Sequence, residues 1–191
     1  TIYRSDGTVY DVVTTGKDGT ATIDRPSAGT YFFRETKAPE GYMLNTNVYS
    51  FTVSSGGTVN GTLDIVNYRK PEVIISKKDS ETKELLPGAT FRIADSEGNI
   101  VYEGTTESTG TLVFEPDYPD TFTVIEVKAP DGYQLNHTYI RFTVSENGSV
   151  SGTTEMLNNK EESKKGTISA YYDSDFYGKG NGDRVNEGLG I

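Results

Sequence analysis

The chain contains no cysteine, and His137 is its only histidine. Without cysteine no disulfide can form, so the protein is either cytosolic or exported with another stabilising device. A zinc site is not expected, because such sites combine several cysteine and histidine ligands. No apolar stretch reaches membrane-spanning length. No signal peptide or sorting motif is visible either, which is expected if the chain is cut at both ends, as the repeat described below indicates.

Basic residues are also scarce. Lys and Arg total 18 against 28 Asp and Glu, which gives a net charge of −10. Recognition of phosphates needs clustered basic side chains, so no nucleic-acid partner is expected. Long amphipathic helical patterns are absent too, whereas short alternating runs rich in Thr, Val, Tyr and Phe are separated by turn signals. This pattern predicts an all-β protein.

The sequence contains a long internal repeat. Residues 34–45, RETKAPEGYMLN, return as residues 125–136, IEVKAPDGYQLN. The offset of 91 residues holds without a gap from Ile2 to Asn67, and over residues 1–69 about 25 of 69 aligned pairs are identical. A fixed period of this kind indicates a tandem array in which each unit is one folding module.

Alternating runs in the second copy predict seven strands, near residues 73–78, 89–95, 99–103, 111–115, 121–127, 139–145 and 150–158. Seven strands in roughly ninety residues are typical of a small two-sheet, immunoglobulin-like β-sandwich. The repeat therefore predicts tandem small sandwiches.

The repeat also sets the predicted domain boundaries. The first module covers residues 1–69 and the second module covers residues 70–159. Residues 72–91 of the second module have no counterpart in the first, which is therefore predicted to be without its first strand. Charged residues 160–165 are predicted to form a flexible linker. Residues 166–191 differ in composition from both modules, which indicates the start of a third module.

Two glutamates occupy predicted strand positions that face the core. Glu126 shares its face with Phe122 and Val124, and Glu35 holds the same place in the first copy. A carboxylate in such a position is costly unless it is paired or protonated. The placement in both copies therefore points to a specific role for the glutamate.

A lysine is predicted to face the same core. In the first strand of the second module, Lys77 shares its parity with Val73 and Ile75, which favours it over Lys78 as the inward lysine. In the last strand, Asn158 is predicted to point inward, and Asn67 ends the first copy in the same way.

Lys77, Glu126 and Asn158 support two hypotheses. Burial favours a neutral lysine, which is a nucleophile, and a protonated glutamate that can exchange protons. The amine could then attack the carboxamide while the glutamate polarises it, releasing ammonia and leaving an amide between the two side chains. The alternative is a buried Lys–Glu ion pair with a hydrogen-bonded asparagine, and the pattern alone leaves both open.

Four motifs carry a resemblance to a known family. They are SKKD at residues 76–79, LPGATF at residues 86–91, the E-x-x-A-P-x-G-Y frame at residues 126–133, and the terminal Asn158. Together they resemble the CnaB-type domain, the B-repeat of collagen-binding adhesins and the stalk domain of pilins in Gram-positive bacteria. The resemblance spans the second module.

The resemblance implies a transthyretin-like β-sandwich and a single-turnover isopeptide bond. Lys77 would be the nucleophile, Glu126 the catalytic acid and Asn158 the acceptor. In the first module Glu35 and Asn67 match the family, but no lysine strand is present, so that module is not expected to form its own bond. No cofactor is implied for these two modules.

The C-terminal segment carries acidic residues among glycines. Such oxygen-rich loops bind calcium, and the predicted ligands are Asp173, Asp175, Asn181, Asp183 and Glu187. The pattern that begins G-T-I-x-x-x-Y-D-x-D at Gly166 and ends E-G-L at Glu187 resembles the opening of an Sdr-type B domain, a calcium-binding stalk module. The alternative is a solvated, acidic, Gly-rich tail.

These observations predict a structural stalk segment of a Gram-positive adhesin or pilus subunit, extracellular and attached to the cell wall. Its predicted partners are neighbouring domains of the same protein, and also host extracellular matrix or other cells. Turnover catalysis is not expected, because the cross-link forms once per molecule. Two alternatives remain: a module that binds host matrix or glycan, and a spacer within a secreted enzyme.

Overall fold

A computed structural model describes residues 1–162 of the chain. These residues contain strands and turns but no helix, so the predicted all-β class is confirmed. No helix of the described part is long and apolar enough to cross a membrane. Residues Thr1–Glu161 form one compact unit.

The first module contains one five-stranded antiparallel sheet. Its strands are β1 (Ile2–Arg4), β2 (Val9–Asp11), β3 (Gly29–Phe33), β4 (Tyr49–Val53) and β5 (Val59–Gly61), in the order β2-β1-β3-β4-β5. The buried residues on its inner face are Ile2, Tyr31, Phe51 and Val53.

The second module is a two-sheet sandwich. Its strands are β6 (Val73–Asp79), β7 (Thr90–Ala94), β8 (Ile100–Thr105), β9 (Thr111–Phe114), β10 (Asp120–Lys128), β11 (Tyr139–Val144), β12 (Val150–Gly152) and β13 (Glu155–Asn158). One sheet has the order β12-β11-β10-β7-β8, and the other has the order β13-β6-β9. The predicted sandwich is therefore confirmed for this module.

Alternation of side chains along the strands builds the core of the second module. In β6, Val73, Ile75, Lys77 and Asp79 are buried, while the residues between them are exposed or half-buried. Facing residues of the other sheet supply an aromatic cluster, in which Phe122 stacks on Phe142 at a centroid distance of 5.4 Å. Phe114 of β9 meets this pair from the opposite sheet, with its ring centroid 5.2 Å from that of Phe122. Contacts of this second kind hold the two sheets together.

The prediction of one continuous strand at residues 150–158 is wrong, because the chain changes sheets there. It ends β12 at Gly152, whose φ is +105°, and resumes as β13 in the other sheet. A Cβ at Gly152 would lie 2.6 Å from the carbonyl oxygen of Arg141, so the backbone approach itself requires glycine. Gly61 takes the same place in the first module, with φ +131°.

The first module differs from the second by a whole sheet, although the sequence indicates the loss of one strand. Residues 20–23 and 64–67 align with β9 and β13, yet they form no strand in the described structure. The reason is topological. In the second module β6 lies between β9 and β13, so without a counterpart of β6 neither flanking segment has a neighbour to pair with.

The two modules meet through side-chain and backbone contacts. Met43 of the first module is 2% exposed and belongs to the second module's core cluster. The Leu44 amide donates a 2.7 Å hydrogen bond to the carbonyl of Asp117, whose side chain pairs with the Lys70 ammonium at the start of the second module. The junction is therefore packed rather than connected only by a flexible tether.

Candidate functional site

The first and last strands of the second module lie side by side. β6 and β13 pair in parallel, with Lys77 opposite Met156 and Asp79 opposite Asn158. Side chains two residues apart on neighbouring strands share a face, so Lys77 and Asn158 meet diagonally. The Lys77 Nζ hydrogen-bonds the Asn158 Oδ1.

Glu126 reaches this pair from the opposite sheet. It lies on β10, where it pairs with Phe91 of β7. Its Oε1 is 3.0 Å from the Lys77 Nζ, and both of its carboxylate oxygens accept hydrogen bonds of 2.9 Å from the Asn158 Nδ2. The structure thus brings together the three residues of the predicted reactive set, across 81 residues of sequence.

The set is almost completely removed from solvent. The side chains of Lys77 and Glu126 are 0% exposed, and Asn158 is 2% exposed as a residue. Burial lowers the pKa of Lys77, while the hydrogen bond and the charge of Glu126 act in the opposite direction. The lowered pKa favours the neutral amine that a nucleophile requires.

The atoms are arranged for proton exchange between two nitrogens. The carboxylate of Glu126 contacts the Lys77 amine on one side and the Asn158 amide nitrogen on the other. Sequence reasoning expected the glutamate to polarise the carboxamide, but here its oxygens face the amide nitrogen, because a carboxylate accepts N–H bonds. A group in this place can take a proton from an attacking amine and pass it to a departing NH₂.

Asn136 is a component of the site that sequence reasoning missed. Its backbone amide donates a 2.6 Å hydrogen bond to the Glu126 Oε2, and its side-chain amide donates a 2.8 Å bond to the Leu157 carbonyl of β13. The same residue therefore holds both the glutamate and the strand that carries Asn158. The repeated phrase contained the signal, since it ends on this asparagine in both copies.

Sequence reasoning also did not identify Asp79 and its hydrogen-bond partners as part of the site. It is 2% exposed, and its Oδ2 accepts a 2.9 Å hydrogen bond from the Tyr133 hydroxyl and lies 3.4 Å from the Lys160 Nζ. Backbone hydrogen bonds from Thr82 and Glu81 lower the pKa of Asp79 well below its usual range. Since Asp79 follows Lys77 on the same face, these contacts fix the end of β6 in register.

The first module contains counterparts of two of the three site residues, namely Glu35 for Glu126 and Asn67 for Asn158. The Asn67 Nδ2 donates a 2.6 Å hydrogen bond to the Glu35 Oε2, and the same oxygen accepts a 2.8 Å bond from the Asn45 amide. Both Glu35 and Asn67 are half-buried rather than buried. Among residues 1–162 no lysine pairs with Glu35 or Asn67, whose partners are Asn45 and Met43.

The predicted calcium ligands Asp173, Asp175, Asn181, Asp183 and Glu187 lie outside the described residues. Calcium binding by this segment stays a prediction. Calorimetric titration of the whole chain with Ca²⁺ checks it, with a variant carrying Asp173→Asn and Asp175→Asn as the control. We expect saturable heat from the parent chain and a loss of that heat in the variant, because carboxylate charge sets the affinity of such sites.

The chain matches a family model described as "SpaA: Prealbumin-like fold domain", which covers residues 1–68 and 71–160. Among curated proteins, the trypsin-resistant surface T6 protein of Streptococcus pyogenes serotype M6 is 32% identical over 143 residues. That alignment covers 63% of this chain and 26% of the T6 protein, so the chain spans about a quarter of its relative's length.

Two solved structures are similar. The Bacillus anthracis TIE protein is 31% identical with a TM-score of 0.46, over 78% of this chain and 28% of that one. The shaft pilin SpaA of Lactobacillus rhamnosus GG is 20% identical with a TM-score of 0.43, over 80% of this chain and 68% of that one.

Proposed function

The chain belongs to the SpaA prealbumin-like fold domain family, and from this premise we propose that it is a structural stalk segment of a Gram-positive surface protein or pilus. Its second module is held by an amide between Lys77 and Asn158. The observation that carries this proposal is the buried contact of Lys77, Glu126 and Asn158. The surface location of the T6 relative agrees with it.

The bond forms once in each molecule. The neutral Lys77 amine attacks the Asn158 Cγ, so the Nζ–Cγ bond forms and the Cγ–Nδ2 bond breaks. Glu126 takes a proton from the amine and passes it to the departing nitrogen, which leaves as ammonia. The product contains no buried ammonium, and Glu126 stays in the core as the protonated acid, which removes the desolvation cost of a buried ion pair. The lysine amine and the asparagine carboxamide are both consumed in the one bond, so this is not a turnover enzyme.

The position of the bond suits a stalk under tension. The chain enters the second module at the start of β6 and leaves it at the end of β13, and these strands are parallel neighbours. Tension on the two ends therefore shears β6 along β13. An amide between Lys77 and Asn158 passes the force directly from one strand to the other, and the residues between them carry none of it.

The experiment that tests this function is the intact mass of the chain. We expect a value about 17 Da below the sequence mass, which is one ammonia lost in the covalent step, and a proteolytic fragment that joins Lys77 to Asn158. Glu126→Ala is expected to restore the full sequence mass. Fully folded protein of unshifted mass would rule out the bond.

Two surface residues provide matched controls. Lys78 and Glu155 form an ion pair on the outside of the same two strands. Lys78→Arg and Glu155→Ala are therefore expected to keep the mass loss, whereas Lys77→Arg abolishes it. Retention of the loss in Glu126→Ala would show that Glu126 is not the proton carrier.

A further inference from the structure

Asp79 is a buried carboxylate of the second module that takes no part in the chemistry of the proposed amide. It ends β6 two residues after Lys77, and its side chain is 3% exposed. Its Oδ1 accepts hydrogen bonds of 2.8 Å and 3.0 Å from the backbone amides of Glu81 and Thr82, which close the turn after the strand. An ionised group in this position is costly unless it is fully hydrogen-bonded, so the partners of its second oxygen matter as much.

The second oxygen of Asp79 contacts the other two segments that carry reacting residues. Tyr133, whose hydroxyl donates the 2.9 Å hydrogen bond, lies in the loop that follows Glu126. Lys160, whose Nζ is 3.4 Å away, follows Asn158 by two residues. One carboxylate oxygen therefore joins β6, the loop after β10 and the continuation of β13 at a single point.

The contact with Lys160 repeats the geometry of the reactive pair. β6 and β13 run in parallel, and Asp79 lies opposite Asn158 in their register. Lys160 therefore meets Asp79 diagonally, as Asn158 meets Lys77 one step earlier along the same two segments. The position of one diagonal contact consequently determines the position of the other.

The two donors to Asp79 are also fixed to each other. The backbones of Tyr133 and Lys160 form an isolated antiparallel bridge, and the Gln134 amide donates a 2.9 Å hydrogen bond to the Asn159 carbonyl beside it. The hydroxyl and the ammonium thus come together only when the loop after β10 lies against the end of β13. Asp79 can bind both of them only after those two segments have assembled.

We propose that Asp79, Tyr133 and Lys160, here called the Asp79 cluster, are positioning residues for amide formation. The cluster holds β6, β10 and β13 so that the amine, the carboxylate and the carboxamide of the reactive set stay at reacting distance. Its contacts are with groups that do not react, so it acts through the strands and not on the reacting atoms. This role rests on the amide proposed above between Lys77 and Asn158.

The physical reason is the dependence of the reaction rate on position. A misplacement of about 1 Å between reacting groups costs on the order of a hundredfold in rate. A slip of two residues between β6 and β13 would keep every side chain on its own face, so burial alone does not exclude it. On the outer face the same strands are joined by Lys78 and Glu155, whose side chains are 29% and 43% exposed, and an ion pair in solvent contributes little. The buried cluster is therefore the specific contact that fixes the register.

The rate of amide formation in the whole chain tests this role. The chain is made by cell-free translation with a short pulse of radiolabelled methionine, and samples are denatured at intervals. A chain closed between Lys77 and Asn158 runs faster on a denaturing gel, and its mass is about 17 Da lower. Asp79→Asn keeps an oxygen for the turn amides but loses the charge that faces the tyrosine and the lysine. We expect it to slow the appearance of the closed chain on the order of tenfold.

Tyr133→Phe removes a single hydroxyl from the cluster. We expect it to slow amide formation on the order of tenfold, the effect of one hydrogen bond to a charged group. The double variant with Asp79→Asn should be no slower than Asp79→Asn alone, because both changes remove the same contact.

Lys160 allows a rescue by a conservative change. Lys160→Gln is expected to slow amide formation several-fold, whereas Lys160→Arg keeps the cation beside Asp79 and should restore the parental rate. The matched control is Glu155→Ala, which removes the ion pair on the outer face of the same two strands. It should leave the rate unchanged.

Stability is measured separately, because a contact that is only structural would also be weakened by these changes. Each change is combined with Asn158→Ala, which cannot form the amide, and the Tm is determined by calorimetry. Rates are then compared at a temperature at which these unreactive chains are fully folded. A structural contact would lower the Tm there and leave the rate of the folded chain unchanged, whereas a positioning contact slows the reaction of a folded module. If Asp79→Asn does not fold, Tyr133→Phe and Lys160→Gln decide the outcome.

Equal rates of amide formation in the parent and in folded Tyr133→Phe would overturn the proposal. Equal slowing by Lys160→Arg and Lys160→Gln would overturn it as well, because the cation would then have no specific part. A parent chain that never closes would overturn this role and the stalk proposal together. A parent that closes no faster than the variants of the cluster would overturn only this role, so the two failures are distinguishable.

Discussion

Stretched from both ends in a single-molecule experiment, the second module is expected to show no unfolding step, whereas Asn158→Ala should show one. Lys77 and Asn158 are 81 residues apart, so release of the chain between them adds about 270 Å of extended length. With the amide in place, the force passes from β6 to β13 and that length stays inaccessible. The measurement is the extension gained per event in a force-clamp or constant-velocity trace.

The chain carries an internal reference and a neighbouring control for this experiment. Within residues 1–162 the first module forms one sheet, and no lysine pairs with Glu35 or Asn67, so it is expected to unfold at low force in both chains. Asn159→Ala changes the next residue, an exposed one whose side chain accepts a bond from Ser80, and should behave as the parent. A step of about 270 Å in the parent itself would contradict the proposed force path.

Much of the second module follows from sequence, because burial alternates along its strands. The parity of Val73 and Ile75 predicts an inward Lys77, and both the apolar pair and the lysine are buried. The same argument places Glu126 beside Phe122 and Val124 on the inner face of β10. Period-two alternation is sufficient here because one face of each strand packs on the core.

The contacts that complete the site depend on strand order, which alternation does not encode. Nothing in the periodicity of β6 says that it lies between β13 and β9, or that it runs parallel to β13. For this reason the sequence indicates one missing strand in the first module, whereas the structure is without a whole sheet there. A central strand supports two neighbours, so its loss removes three strands from the fold.

The repeated phrase has a physical explanation that only the folded arrangement provides. In both modules the tyrosine amide of the phrase bonds to the proline carbonyl three residues earlier, at 3.1 Å. This turn brings the final asparagine back to the glutamate, where its amide bonds to Glu126 or Glu35. The phrase is therefore the loop that positions the glutamate against the last strand.

Loss of the cross-link should also have a large effect on stability. Asn158→Ala leaves the Lys77–Glu126 pair at 3.0 Å in place but removes the covalent closure of the 81-residue span. By the chain-entropy model for cross-links, closing a loop of this length contributes about 4–5 kcal/mol to the free energy of unfolding. For a module of this size that corresponds to a fall in Tm of about 20 °C or more, measured by calorimetry.

The denaturant dependence separates the cross-link from ordinary contacts. An unfolded chain closed between Lys77 and Asn158 exposes less surface than an open one, so the slope of unfolding free energy against urea should increase in Asn158→Ala. Loss of a contact alone moves the midpoint and leaves the slope unchanged. Asn159→Ala is expected to retain both slope and midpoint. Equal slopes for Asn158→Ala and the parent would mean that no closed loop exists in the unfolded parent chain, because a covalent closure must persist when every non-covalent contact is lost.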